Sequence, residues 1–385
     1  MNPSGLLPSA TTWKGSVRHD DCPPQRRPTP AGAGRVGLGD RAGERGAVSR
    51  VVEAFLNVPR HRFVPVFYRE EGGVHRPWPA GEAWLREVYA DRVLVTEVGG
   101  VHAEDAGPDG VRGVATSSST LPSLMADMLD ALDVRPGDRV LEVGTGTGYN
   151  AALLCHLAGA AHVTTVDRTE HLVATARARL GEADFAPAVV RADGADGYPP
   201  GAPYDRIIAT CGVRRVPRAW LDQCAPGGLV VAPLGGAVAR LTKVSDGRAV
   251  GRFLHRPAAF MPLRGGGDAA PGVPEPQADS RRTEIGARVL DDPGFAFWAD
   301  LHLGPTVVRD GHVLRDVADG STAHAHGGTV ARSGPRDLWR AVEAAHRSWL
   351  GQNRPRREWF TVEAGPEGQF VSYSAPDGGV TRWAL

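Results

Sequence analysis

Three glycines alternate in the stretch Val140-Leu141-Glu142-Val143-Gly144-Thr145-Gly146-Thr147-Gly148, directly after a hydrophobic run that contains one acid. Glycine lets the backbone turn sharply and lets a ligand lie against it with no Cβ in the way. A helix that starts just beyond offers free N–H groups. Two more acids close the next apolar runs. Asp167, followed by Arg168, stands 19 residues after Gly148, and Asp193 is followed by Gly194. A carboxylate in the first of these places can accept both hydroxyls of a ribose. The dinucleotide pattern G-x-G-x-x-G fails because residue 149 is Tyr. An acid two residues before the first glycine suits a cationic ligand and would repel a phosphate.

A second cluster, Ser117-Ser118-Ser119-Thr120, precedes Leu121-Pro122-Ser123. Hydroxyls can hold one oxygen of a carboxylate and leave the other free. The competing reading is that Thr120 caps a helix entered through Pro122. Arg60, Arg214 and Arg215 could attract an acidic partner, or be solubilising surface cations. His61 lines a site or packs beside Phe63. His324 and His326 alternate in a glycine-rich stretch without further ligands, which reads as a loop, so no metal site is expected.

These residues need elements to position them. Residues 120–132 form an amphipathic helix with Leu124, Met125, Met128, Leu129 and Leu132 on one face. Strands are expected at 139–143, 162–166, 188–191, 206–210 and 229–232, and helices at 150–157, 170–180 and 218–224. That alternation implies a mostly parallel sheet with helices on both faces. The chain divides into a loose tail 1–46, a main domain 47–264, a Gly/Pro-rich linker 265–284 and a smaller α+β region 285–385. In that last region a strand is expected at 295–303, a helix at 335–350 and strands at 358–363, 369–374 and 380–384, with Trp339, Trp349, Trp359 and Trp383 as its core.

Of 385 residues 42% are hydrophobic and 23% charged, a globular balance. Lys+Arg and Asp+Glu both number 44, which offers no basic excess for nucleic acid. No apolar run reaches membrane-span length, and the start lacks the pattern of a secretory signal. Cys22, Cys155, Cys211 and Cys224 are too scattered for a disulfide framework, so a cytoplasmic location is expected.

The motif Glu-x-Gly-x-Gly-x-Gly resembles the first motif of class I S-adenosylmethionine methyltransferases, a Rossmann-like α/β fold. The resemblance implies S-adenosyl-L-methionine as co-substrate, no metal, and a cofactor site made of Glu142, Gly144, Thr145, Gly146, Thr147, Gly148, Asp167, Arg168, Asp193 and Gly194. Over 51–263 the chain is similar to protein-L-isoaspartate O-methyltransferases. Val58-Pro59-Arg60-His61-Arg62-Phe63-Val64-Pro65, Ala202-Pro203-Tyr204-Asp205, Val216-Pro217-Arg218-Ala219-Trp220 and Phe260-Met261-Pro262-Leu263 carry this likeness. It places Thr120 on the family's active-site serine. From the chemistry of the residues themselves, Thr120 is expected to be the main holder of the acceptor carboxylate with Ser118 and Ser119 assisting, and Arg60, His61 and Arg214 are the candidates to meet a peptide substrate. Ser123 falls on the family's histidine, and Cys211-Gly212-Val213-Arg214-Arg215 replaces a small-residue stretch. Both changes lie where the family holds its isoaspartyl substrate. The run of serines before Pro122, together with the C-terminal extension, resembles the homologues of ribosomal peptide pathways, paired with ATP-grasp ligases (graspetides) or lanthipeptide synthetases. That subset implies methylation of an Asp in a modified precursor peptide, the ester then closing to aspartimide. The alternatives are a housekeeping isoaspartyl repair enzyme and a non-catalytic peptide-binding accessory. The oligomeric state is left open.

Overall fold

The computed structural model describes residues 49–263 and 279–385. The 1–46 tail, and residues 265–278 of the expected linker, lie outside them. Among the described residues the strands form three sheets.

Five parallel strands make the half of the ten-stranded central sheet that carries the glycine loop. Their spatial order is Ala188–Arg191, Val163–Asp167, Val140–Val143, Tyr204–Ala209, Cys224–Leu234. All four residues of Val140–Val143 are buried, as a strand covered on both faces requires. Chain order reverses between that strand and Tyr204–Ala209. In such sheets the crevice at the carboxyl ends of the two strands is the ligand site. Helix Tyr149–Ala158 starts there, and helix Pro122–Leu132 buries its expected apolar face.

The other half of the sheet is antiparallel: Ala237–Ser245, Arg248–Pro257, Thr361–Gly365, Gly368–Ser374, Val380–Ala384. Its last three strands come from the region expected to stand apart beyond residue 285. They join the central sheet in the register Ala249↔Ala364 to Arg252↔Thr361. Phe297, Trp298 and Phe360 share one apolar cluster with Leu141 and Ile207. A mostly parallel sheet therefore describes only the loop-bearing half, and position 285 is no break in the core.

Residues 295–303 lie in a helix, Pro293–Leu303, rather than the expected strand. The Asp292 carboxylate caps it, accepting from the Gly294 N–H at 2.8 Å and the Phe295 N–H at 3.0 Å. Phe295 to Ala299 are all buried, so the segment is apolar all round and shows no helical period. This helix and Leu338–Gly351 cover an antiparallel sheet of order Asp279–Arg282, Thr329–Ser333, Thr322–His326, Val313–Asp316, Val307–Asp310. His324 and His326 are on a strand, not a loop, and both side chains are exposed.

The third sheet is not foreshadowed by the sequence pattern. It contains Phe67–Glu71, Val74–Trp78, Leu94–Val98, Val101–His102 and Ala115–Ser119. Strand Leu94–Val98 pairs with Ala115–Ser119 in the register Leu94↔Ser119, Val95↔Ser118, Glu97↔Ser117. The serine run is thus a strand end. Buried Glu97 fastens it, accepting from the Thr116 hydroxyl at 2.6 Å and facing His171 Nε2 at 2.7 Å on helix Glu170–Glu182.

Candidate active site

At the reversal point lies a cavity of about 240 Å³ with two chemically distinct walls. One wall is the glycine loop. Gly144 has φ +102°, and a Cβ there would stand 2.6 Å from Thr210 Oγ1, so only glycine fits. Thr210 itself donates to the Gly144 carbonyl at 2.5 Å, tying together the ends of the two central strands. Gly144, Thr145, Gly146 and Thr147 line the cavity, as do Arg168 and Gly194. Gly148 does not. It caps helix Tyr149–Ala158 at φ +85° and packs against Ala176, where a Cβ would stand 3.2 Å from the alanine Cβ.

Of the three strand-end acids, only Asp167 lines the cavity. Its carboxylate accepts from the Gly146 N–H at 3.2 Å and the Thr169 N–H at 3.0 Å. Glu142 is fully buried beneath the loop, accepting from Asn150 Nδ2 at 2.7 Å and the Thr165 hydroxyl at 2.6 Å. Burial pushes its carboxyl up to about 7, against the pull of those two donors. It is a support for the loop and not the facing anion expected from the sequence. Asp193 is exposed and accepts from the Ala195 N–H at 2.9 Å, capping a short turn. Its neighbour Gly194, which does line the cavity, has no room for a side chain: a Cβ would stand 2.6 Å from Val143 Cγ1.

Asn150 and Tyr149 also line the cavity. Asn150 Oδ1 is buried with no hydrogen-bond partner among the described residues. An orphaned acceptor, a carboxylate at a strand end and a glycine cradle suit a ligand bearing an ammonium group and a ribose. S-adenosylmethionine is such a ligand, so the residues present fit it. Tyr149 and Asn150 escaped the sequence reading, although they follow Gly148 directly.

The other wall is the end of strand Ala115–Ser119 with Thr120. Helix Pro122–Leu132 has Leu121 at its N-cap and no side-chain cap, so Thr120 does not cap it. Among the described residues the Ser118 and Thr120 hydroxyls have no hydrogen-bond partner. Ser119 differs: its hydroxyl accepts from Arg60 at 3.2 Å and 3.1 Å. Phe260, Met261 and Leu263 close the far side beside half-buried Cys211, whose thiol is pushed up to about 12 by desolvation. Ser123 is buried but is not among the lining residues.

The expected substrate residues are not gathered here. Arg60 is 1% exposed, so it is no surface cation for an acidic peptide. His61 bonds the Tyr89 hydroxyl at 2.7 Å and packs against Trp84, off the cavity wall. Arg214 lines a shallower depression that shares Ala259, Phe260 and Pro262 with the cavity. Among the described residues no group of three potential metal ligands occurs, and no helix is long and apolar enough to cross a membrane.

The profile of the protein-L-isoaspartate(D-aspartate) O-methyltransferase family matches residues 41–266. A protein-L-isoaspartate O-methyltransferase of Methanopyrus kandleri is 37% identical over 224 residues, covering 56% of this chain and 84% of the relative. One of Ignicoccus hospitalis is 34% identical over 220 residues, covering 55% and 88%. A solved protein-L-isoaspartate O-methyltransferase aligns over 85% of this chain and 95% of its own, with 22% identity and a TM-score of 0.49. With more than half of its length matched, the chain belongs to the protein-L-isoaspartate(D-aspartate) O-methyltransferase family, the S-adenosylmethionine-dependent carboxyl methyltransferases.

Proposed function

We propose that this protein methylates the free carboxylate of an isoaspartyl residue in a protein or peptide. One observation carries the reading: a single cavity joins the glycine loop to the uncommitted hydroxyls of Ser118 and Thr120. S-adenosylmethionine supplies an electrophilic methyl group on a sulfonium. The acceptor carboxylate is ionised at neutral pH, with an ordinary pKa of about 4, so it needs no general base. What the protein contributes is orientation and removal of water. Thr120 donates to one carboxylate oxygen and leaves the other facing the loop wall, with Ser118 sharing the load. Leu124, Met125 and Met128 make this end of the cavity apolar. Asp167, Gly146 and Asn150 hold the donor. The product ester then closes without further help. The next residue's backbone nitrogen attacks the ester carbon, a C–N bond forms, and methanol leaves with the amide proton.

Two substrate classes compete. Isoaspartyl repair agrees with the names of the relatives. Ser123, in the position of the family's histidine, lies off the cavity wall and does not weigh against it. The second class is a genuine Asp in a cyclised ribosomal precursor peptide of the graspetide or lanthipeptide kind. Arg214 and Arg215 favour it, being exposed and without ion-pair partners among the described residues. A purely peptide-binding role leaves the hydroxyls beside a glycine loop unexplained. A cytosolic location belongs with either substrate, since Cys155, Cys211 and Cys224 are free thiols.

The test offers S-adenosylmethionine with an isoaspartyl hexapeptide, its aspartyl counterpart and a cyclised acidic precursor, read by mass spectrometry. Methyl ester on the isoaspartyl peptide alone is expected. Ester confined to the cyclised precursor, followed by methanol loss, would transfer the assignment to the second class. No ester on any of them would overturn both.

A further inference from the structure

Arg60 sits behind the acceptor wall with no acidic side chain in direct contact among the described residues. Its guanidinium donates to the Ser119 carbonyl at 3.2 Å, the Thr120 carbonyl at 2.9 Å and the Ser119 hydroxyl. It also donates to the carbonyls of Val88 at 2.9 Å, Ala90 at 3.3 Å and Arg92 at 3.2 Å. On its other side, Cζ lies 6.0 Å from the centre of the Tyr149 ring, another cavity residue. Among the described residues no acidic side chain pairs with it. Asp91, whose carboxylate accepts from the Ser123 N–H at 2.8 Å, attracts the guanidinium without bonding it.

Burying a cation with only neutral partners is costly, because carbonyl dipoles replace water but supply no opposite charge. Five carbonyls and a hydroxyl satisfy the donors, and Asp91, which makes no bond to the guanidinium, offsets only part of the charge. A further anion has room in the cavity immediately beyond Ser119 and Thr120. We infer that Arg60 is a positioning residue that also acts through its charge, fixing the Ser119–Thr120 turn and making the cavity end beside Thr120 selective for a negatively charged carboxylate over its neutral isostere. The inference rests on the acceptor site proposed above. The same charge explains why hydroxyls suffice at the wall itself, where an exposed arginine would pair with the acceptor and blunt its nucleophilicity.

The test reads charge discrimination rather than rate. With S-adenosylhomocysteine bound, calorimetry compares an isoaspartyl hexapeptide with its isoasparaginyl isostere on the wild type, Arg60→Lys and Arg60→Met. The wild type is expected to prefer the carboxylate by about tenfold or more. Arg60→Lys should keep part of that ratio, and Arg60→Met should lose it while still binding S-adenosylhomocysteine. Equal weakening of both peptides in Arg60→Met, with the ratio intact, would reduce Arg60 to scaffolding and overturn the inference. Should Arg60→Met fail to fold, the wild type decides. Carbon NMR of a labelled isoaspartyl carboxyl is expected to titrate at lower pH in the complex than in the free peptide. An unchanged or raised value would overturn the inference. Failure of the underlying acceptor site looks different: neither peptide would bind at all.

Discussion

The two walls of the cavity are built in opposite ways. On the loop wall nearly every polar group is already engaged: Gly144 and Gly146 through their N–H groups, Thr145 through Thr165, and Glu142 through Asn150 and Thr165. On the hydroxyl wall Ser118 and Thr120 stay uncommitted, while a buried cation secures the backbone behind them. The loop wall is a preformed cradle whose shape does the selecting. The hydroxyl wall keeps its hydrogen bonds for the acceptor, and its rigidity is supplied from behind by Arg60 and from the side by Glu97. A methyl transfer needs both, because the donor must not move and the acceptor must come out of water.

The sharpest way to break this contrast is to spoil the cradle. Gly144→Val puts a branched side chain against Thr210 at a φ that valine resists, and S-adenosylhomocysteine affinity should fall on the order of 100-fold, about 3 kcal/mol, by calorimetry. Retained affinity would mean that loop shape is not what selects. Glu142 tests whether the support beneath the loop is electrostatic. Its carboxyl sits near 7 in the fold and near 4.5 when exposed, so the folded state keeps a proton the unfolded state gives up. Stability from this group is complete below pH 4.5 and drains away as pH rises toward 7. Glu142→Gln should therefore gain on the wild type across that window, by up to about 3 kcal/mol, in denaturant titrations at several pH values. Parallel curves would remove the group from the pH dependence.

Asp167→Asn should weaken S-adenosylhomocysteine by roughly 10-fold, about 1.5 kcal/mol, and leave the acceptor KM unchanged. A matching rise in that KM would show that the walls are not independent. The smallest effect belongs to Arg214→Ala. It should raise the KM of an acidic peptide about threefold, and less for a neutral one, since the side chain is exposed. No difference between the two peptides would deny the depression a part in recognition.

The sequence exposed the loop wall far better than the hydroxyl wall, and the reason is range. Residues 140–148 form strand, turn and helix start in one short stretch, so their types and spacing identify them. The hydroxyl wall is assembled from three distant segments: Arg60, the strand Leu94–Val98 and the strand Ala115–Ser119. The strands beside it, such as Phe67–Glu71 and Val74–Trp78, are short and largely polar, with little alternation to betray them. Arg60 looked like a surface cation because side-chain burial leaves no mark on a residue's own letter. A cap at Thr120 competed with its reading as an acceptor-holding hydroxyl because Pro122 marks the helix start correctly, yet Leu121 occupies the cap position. The C-terminal strands were visible singly, but their pairing with Arg248–Pro257 joins residues about a hundred positions apart.

The most direct measurement titrates an isoaspartyl hexapeptide into S-adenosylhomocysteine-loaded wild type and Thr120→Ala by calorimetry. Loss of a hydrogen bond to a carboxylate is worth about 1.5–3 kcal/mol, so peptide affinity should fall roughly 10- to 100-fold while S-adenosylhomocysteine affinity stays level. Unchanged peptide affinity, or a parallel loss of both ligands, would contradict an acceptor held at Thr120 across the cavity from the glycine loop.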